Sequence, residues 1–357
     1  MIKYLLNGVR ENSCYEMFAG CTSLSSVPTT FISDDKDFTN IKASGCYMRM
    51  FAGCTSLTNT PALPATKLAN NCYKEMFAGC TSLLEVPALP ATTLADNCYS
   101  GMFSGCIKLI NAPALPATAL KLSCYERMFF NCDNLLEVPA LPAITLANNC
   151  YKEMFAGCDR LMTILNLPAT TLKPNCYEGM FSGCTSLTNI TNIFATSNIM
   201  PADYCCANMF AGCIRLTDIS EFKLPMYDNA VTCNYSFMNM FNGCELLTTL
   251  VPTIKYNVKH LGTNMYNGLF KNCKNIVETP LITFNNVSII PTSQSKYFSN
   301  MFEDCINLNV VNTSGLNQNI FNSTIFENWL KNVSSTGTFY VTNISDIEII
   351  FIFKDFI

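Results

Sequence analysis

Charge is scarce in this chain. Asp, Glu, Lys and Arg make up 13% of 357 residues and sum to a net −4. With 22 basic side chains spread among 26 acidic ones, no basic stripe of the kind that tracks a phosphate backbone is present, so a nucleic-acid partner is not expected. Histidine is rarer still. A nucleophile–base pair would have to be built on His260 alone, and the chain is read as a non-enzyme, with His260 in a loop. Short Cys-x-x-Cys spacings are missing, which removes the usual zinc pattern. Glycines occur singly and form no phosphate-binding loop, so no cofactor or metal is expected. Long apolar runs are missing too. Ile347 to Phe353, the most apolar stretch, falls well short of the ~20 residues that span a bilayer, and the run after Met1 is shorter than the ~7 to 15 of a signal-peptide core. The reading is a soluble chain with no membrane insertion.

Cysteine, by contrast, is abundant, and its positions organise the sequence. Gly-Cys or Asn-Cys, or a close variant, recurs at Cys21, Cys54, Cys80, Cys106, Cys132, Cys158, Cys184, Cys213, Cys244, Cys273 and Cys305, with a constant step of 26 residues from Cys54 to Cys184. A fixed period in this range marks a stacked-repeat architecture. One copy offers about seven apolar side chains (Leu83, Val86, Leu89, Leu94, Cys98, Met102, Phe103), too few to offset an ordering entropy of roughly 1 to 2 kcal/mol per residue. Neighbouring copies must therefore complete each core. A second cysteine column runs through Cys14, Cys46, Cys72, Cys98, Cys124, Cys150, Cys176 and Cys205. Within a repeat the two are usually eight residues apart, too far to bridge. Most of the 21 are read as reduced core thiols in ladders, bridges between repeats being the lesser alternative.

Within a regular copy, Asn97 to Gly105 reads as a short helix, N-capped by Asn or Asp and ended by a left-handed glycine. Cys98 and Met102 then share the inward face, beside Tyr99 and Phe103. The Leu-x-x-Val-Pro segment that follows (Leu135 to Pro139) reads as a very short parallel strand ended by proline, and Ala-Leu-Pro-Ala-Thr-x-Leu as an extended corner. The expected fold is an α/β repeat solenoid of leucine-rich-repeat type, with one short helix and one short parallel strand per 26-residue unit. Residues 1–13 form a lead-in. Eleven units follow over 14–320, regular over 46–190 and degenerate over 191–320, and residues 321–357 cap the last edge, with Trp329 and the β-prone Thr338 to Thr342. The first unit, Cys14 to Leu24, reads as one residue short between its cysteines, and Phe31 to Phe38 as a protruding loop.

One column varies in a graded way. Directly after the repeated leucine stand Leu84, Ile110, Leu136 and Met162, where other units place Ser25, Thr58, Thr188 or Thr217. Beside them run Glu85, Asn111, Glu137 and Thr163. Facing out, this is an apolar patch with an acidic rim, the anatomy of a protein-binding face; facing in, it is packing. Period-two reasoning on so short a strand leaves both open. The repeated carboxylates Glu85, Glu137, Asp218 and Glu278 read as a solvated row rather than an acid–base pair.

The motif Met-Phe-x-Gly-Cys-x-x-Leu, followed by Pro and by Leu-Pro-Ala-Thr-Thr-Leu, resembles the BspA-like leucine-rich repeat proteins, in the longer variant met in gut Bacteroidales and their phages. The match covers about residues 14 to 340 and is specific for fold, less so for function. What the resemblance implies is a surface, extracellular or virion-associated protein that binds a protein or glycan, adhesin-like or receptor-binding. The alternative is a structural part of a phage particle or other assembly, docking a partner through its irregular C-terminal units.

Overall fold

The computed structural model describes residues 10–32, 39–190, 193–194, 196, 198–222, 224, 233–251, 253–257, 262–285, 296–312 and 325–340. The expected loop around Asp34 to Asp37, and His260, lie outside these residues. The chain divides into two compact bodies, Met1–Thr185 and Ser186–Ile357. Each is a stack of similar coils.

The segment expected to be helical is not a helix. Its backbone amides alternate between two destinations. Lys74, Met76, Ala78 and Cys80 donate back three residues, to Asn71, Tyr73, Glu75 and Phe77 (3.1 to 3.2 Å). Tyr73, Glu75, Phe77 and Gly79 donate to Cys98, Ser100, Met102 and Ser104 of the next coil (2.7 to 3.0 Å). The result is a ribbon of overlapping turns in which half the amides close the turn and half hold the stack together. An α-helix would consume all of them internally and leave the neighbours unlinked.

What forces this geometry is a left-handed residue at every fourth position. In one coil these are Asn71, Glu75 and Gly79 (φ 55°, 52° and 72°), in the next Asn97, Gly101 and Gly105 (55°, 60° and 73°). Helix propagation is not compatible with that pattern. The glycine read as a helix cap is thus the third of three left-handed sites. Asn recurs at the first site (Asn71, Asn97, Asn149, Asn175) because its short amide tolerates this region best among non-glycine residues. A repeat of four keeps Cys98 and Met102 on one side, so the inward faces read from a helical pitch survive although the helix does not: both are buried.

The same register corrects the first coil. Amides of Cys14, Glu16, Phe18 and Gly20 pair with carbonyls of Cys46, Met48, Met50 and Ala52. With left-handed sites at Asn12, Glu16 and Gly20, Cys14 occupies the column of Tyr47, and no residue is missing.

The core of the first body is a set of ladders. Phe18, Phe51, Phe77, Phe103, Phe129, Phe155 and Phe181 stack nearly parallel, with centroids 5.4 to 5.7 Å apart. Tyr47 to Tyr177 form a second column at 5.8 to 5.9 Å. Between coils, the thiol of Cys106 donates to the carbonyl of Phe77 (3.2 Å), and Cys80, Cys132 and Cys158 repeat the contact with Phe51, Phe103 and Phe129. Each such carbonyl therefore accepts twice, from the cysteine amide of its own coil and the cysteine thiol of the next. All 21 cysteines are free thiols.

In the first body neither Leu83–Val86 nor its equivalents form a strand. Neighbouring coils meet there in single parallel bridges, Asn111 to Glu137 and Glu137 to Thr163. A second bridge column, Lys67 to Thr93 and Ala119 to Thr145, lies in the segment read as an extended corner. Continuous parallel strands appear in the second body: β1 (Thr253–Asn257) pairs with β2 (Leu281–Asn285), and β3 (Val310–Asn312) with β4 (Thr338–Tyr340). Its own aromatic columns run through Phe210, Phe241, Phe270 and Phe302, and through Phe237, Tyr266, Phe298 and Phe326. Left-handed Asn328 and Asn332, four apart, mark one more coil inside the segment expected to be a cap. Val333 stands where the other coils place cysteine, and its amide closes the same three-residue turn onto Leu330.

Candidate functional site

The repeated leucine before the graded column is the anchor. Leu83, Leu109, Leu135 and Leu161 are fully buried. The residue after each is turned out: Leu84 is 51% exposed, Ile110 42%, Leu136 36% and Met162 56%. Glu85, Asn111, Glu137 and Thr163 are exposed beside them. The alternative in which this column packs inward is removed.

Backbone bonds set the spacing. The amide of Leu136 donates to Ile110 (3.1 Å), and that of Leu84 to Thr58 (3.5 Å). Parallel-bridged chains lie about 4.8 Å apart, so four successive coils line up their apolar side chains over about 14 Å. Exposing four large aliphatic side chains in one row costs solvation that Thr58 and Thr188 avoid in the same column, which makes the strip the candidate site.

The sequence reading missed Leu165, 50% exposed, although a signal was there: it stands where Pro61, Pro87, Pro113 and Pro139 occupy the other units. An open groove of about 400 Å³, lined by Asn59, Pro61, Pro64, Glu85, Pro87 and Pro90, adjoins Glu85. Three residues before the apolar column, Asp133 and Asp159 occupy adjacent coils. Partial burial, and then the charge of Asp159, push the Asp133 carboxyl above its ordinary value.

Burial raises the Cys80, Cys98, Cys132 and Cys150 thiols to about 12, which keeps them protonated and unreactive at neutral pH. Among the described residues, no group of three or more His, Cys, Asp or Glu side chains is placed to hold a metal ion, and no helix is long and apolar enough to cross a membrane.

No family model matches the chain, and no curated protein does. Among solved structures, it is similar to a leucine-rich repeat protein from Bacteroides ovatus ATCC 8483 (18% identity, TM-score 0.41, 92% of this chain against 86% of that one). It is also similar to a leucine rich cell surface protein from Faecalibacterium prausnitzii A2-165 (19%, 0.39, 82% against 74%) and a leucine-rich repeat protein from Eubacterium ventriosum ATCC 27560 (12%, 0.35, 84% against 82%). The repeat architecture of this chain is carried by its own ladders.

Proposed function

We propose that the chain is a non-enzymatic recognition module whose ligand sits on the strip formed by Leu84, Ile110, Leu136 and Met162, with Glu85, Asn111, Glu137 and Thr163 along its edge. The observation that supports this reading is the exposure of all four apolar side chains on adjacent coils. A stacked-repeat core gains nothing from them, since Leu83 and its equivalents already fill it. The apolar centre and polar edge suit a protein surface, and a glycan is the lesser fit. Action at a cell surface, which the sequence resemblance implies, belongs to the same proposal.

The test compares the immobilised chain with Leu84→Asp/Leu136→Asp. Both replaced side chains point to solvent, so the thermal midpoint should move by less than about 0.5 kcal/mol equivalent. Species retained from one protein extract by the parent and lost by the variant identify the ligand. Equal retention by the two proteins sinks the assignment.

A further inference from the structure

The strip from Leu84 to Met162 is one side chain wide. On each of its coils the leucine before it is buried and the residue after it is polar, so an apolar contact can be continued only from coil to coil, along the stack. The backbone sets the step in that direction. Bridged segments such as those at Asn111, Glu137 and Thr163 repeat about every 4.8 Å. The phenylalanine and tyrosine columns inside the same coils repeat every 5.5 to 5.8 Å. An α-helix turns once in about 5.4 Å, between those two values. A helix laid along the strip and presenting positions i, i+3, i+7 and i+10 places its side chains at about 0, 4.5, 10.5 and 15 Å. The four strip residues follow at about 0, 4.8, 9.6 and 14.4 Å, within about 1 Å at every step. An extended strand presents one face every ~6.7 Å and is out of step by about 4 Å at the third coil. A polyproline helix returns every ~9.3 Å and would leave alternate coils bare.

We infer that the occupant of the strip is an amphipathic α-helix of a partner protein, about three turns long, lying along the stack with its apolar stripe on Leu84, Ile110, Leu136 and Met162. Charge fixes which flank faces which edge. Glu85 and Glu137 stand exposed on alternate coils, about 9.6 Å apart, and Asn111 and Thr163 between and beyond them are neutral. Positions seven apart on a helix are separated by about 10.5 Å, so Lys or Arg at two such positions of one flank meets both carboxylates. On the other side of the strip, Lys108 and Arg160 stand with Asp133 and Asp159, and their charges balance. The basic flank therefore belongs over Glu85 and Glu137. This inference rests on the recognition reading of the strip and names the shape and charge of what is recognised.

The test is a display library of random peptides of about 16 residues, long enough for the three turns, selected on the immobilised full chain and in parallel on Leu84→Asp/Leu136→Asp. Peptides enriched at least about tenfold on the parent over the variant form the strip-dependent set. They should carry apolar residues at i, i+3, i+7 and i+10 with Lys or Arg along one flank, and gain helical circular dichroism on binding. Selection on Glu85→Lys/Glu137→Lys should turn those basic positions acidic. A strip-dependent set with two-residue alternation, or one whose flanking charge ignores the reversal, overturns the helix and leaves recognition by the strip intact. Absence of any strip-dependent set overturns both. If sedimentation shows the parent dimeric and Leu84→Asp/Leu136→Asp monomeric, a second copy of the chain covers the strip and the partner helix is refuted.

Discussion

Two side-chain columns bear on stability residue by residue, and they make opposite demands on their polar atoms. The hydroxyls of Tyr73 and Tyr125 are buried without a hydrogen-bond partner, and burial pushes both phenols well above their ordinary values. An unpartnered buried hydroxyl carries a desolvation cost of about 1 to 3 kcal/mol. The second body already uses Phe237 and Phe298 in this column. Tyr73→Phe is therefore expected to be neutral or to stabilise the protein by up to about 1 kcal/mol in urea titration, and a loss larger than that would contradict the assignment. The cysteine column makes the opposite demand: its thiols must keep their protons to donate to Phe carbonyls. Burial raises Cys80 and Cys132 of this column, and Cys98 and Cys150 of the other cysteine column, to about 12, above the ordinary 9.0, so the folded protein holds more protons than the unfolded chain between these limits. Stability is then fully present below about pH 9 and is lost as pH rises from there toward 12. Under reducing conditions the melting temperature should be flat from pH 7 to 8.5 and fall steadily above 9.5. A midpoint that holds at pH 11 would show that thiol protonation is not linked to folding.

At the scale of one coil, the repeated element is the turn ribbon with three left-handed sites, and its middle site shows how the column is tuned. Reading up the first body it holds Arg49, Glu75, Gly101, Arg127, Glu153 and Gly179. Arg49 pairs with Glu75 (2.6 Å) and Arg127 with Glu153 (3.4 Å), while each glycine follows a glutamate. A Cβ at Gly101 would lie 2.9 Å from Cγ of Glu75, and one at Gly179 3.1 Å from Cγ of Glu153. Glutamate thus leans toward the space its glycine neighbour leaves. Gly101→Ala should cost about 1 to 2 kcal/mol for the left-handed backbone, plus the crowding with Glu75. In Glu75→Ala/Gly101→Ala the crowding term should disappear, so the double variant should be more stable than the two single effects summed. Strict additivity would argue against the contact. This element also shows what was legible in the sequence. The inward faces of Cys98, Tyr99, Met102 and Phe103 were, because a four-residue repeat and a 3.6-residue pitch select the same side over so short a segment. The helix was not: whether an amide bonds three residues back or to the next coil depends on a neighbour 25 residues away, and the clue, Asn or Gly four apart, doubles as a helix-cap signature. The outward face of Leu84, Ile110, Leu136 and Met162 was not legible either, since a single-residue bridge has no alternation to anchor it.

At the scale of the molecule, the spacing of 26 residues from Cys54 to Cys184 is a physical register rather than a habit of the sequence. Amide 47 bonds carbonyl 72, amide 73 carbonyl 98 and amide 99 carbonyl 124, so the regular coils of the first body meet one another with the same 25-residue offset. Removing residues 107–132 joins Cys106 to Asp133 and brings the coil ending at Cys106 against the one ending at Cys158, with Phe103 meeting Phe155 and the Cys158 thiol meeting the Phe103 carbonyl. Every column is restored, one interface is lost, and stability in such stacks is close to a sum of coil and interface terms. The shortened protein should fold cooperatively. If the first body unfolds as a unit, its urea m-value should fall by about one part in seven, in proportion to the surface that one of its coils buries. Removing residues 107–119 takes out half as much chain, yet it sets Leu120 where Asp133 should follow Cys106 and places the corner of one coil against the turn ribbon of another. That variant should lose the cooperative transition and expose its thiols. If the 13-residue deletion proved the more stable of the two, loss of length rather than loss of register would govern folding, and the columns would not be what holds the coils together.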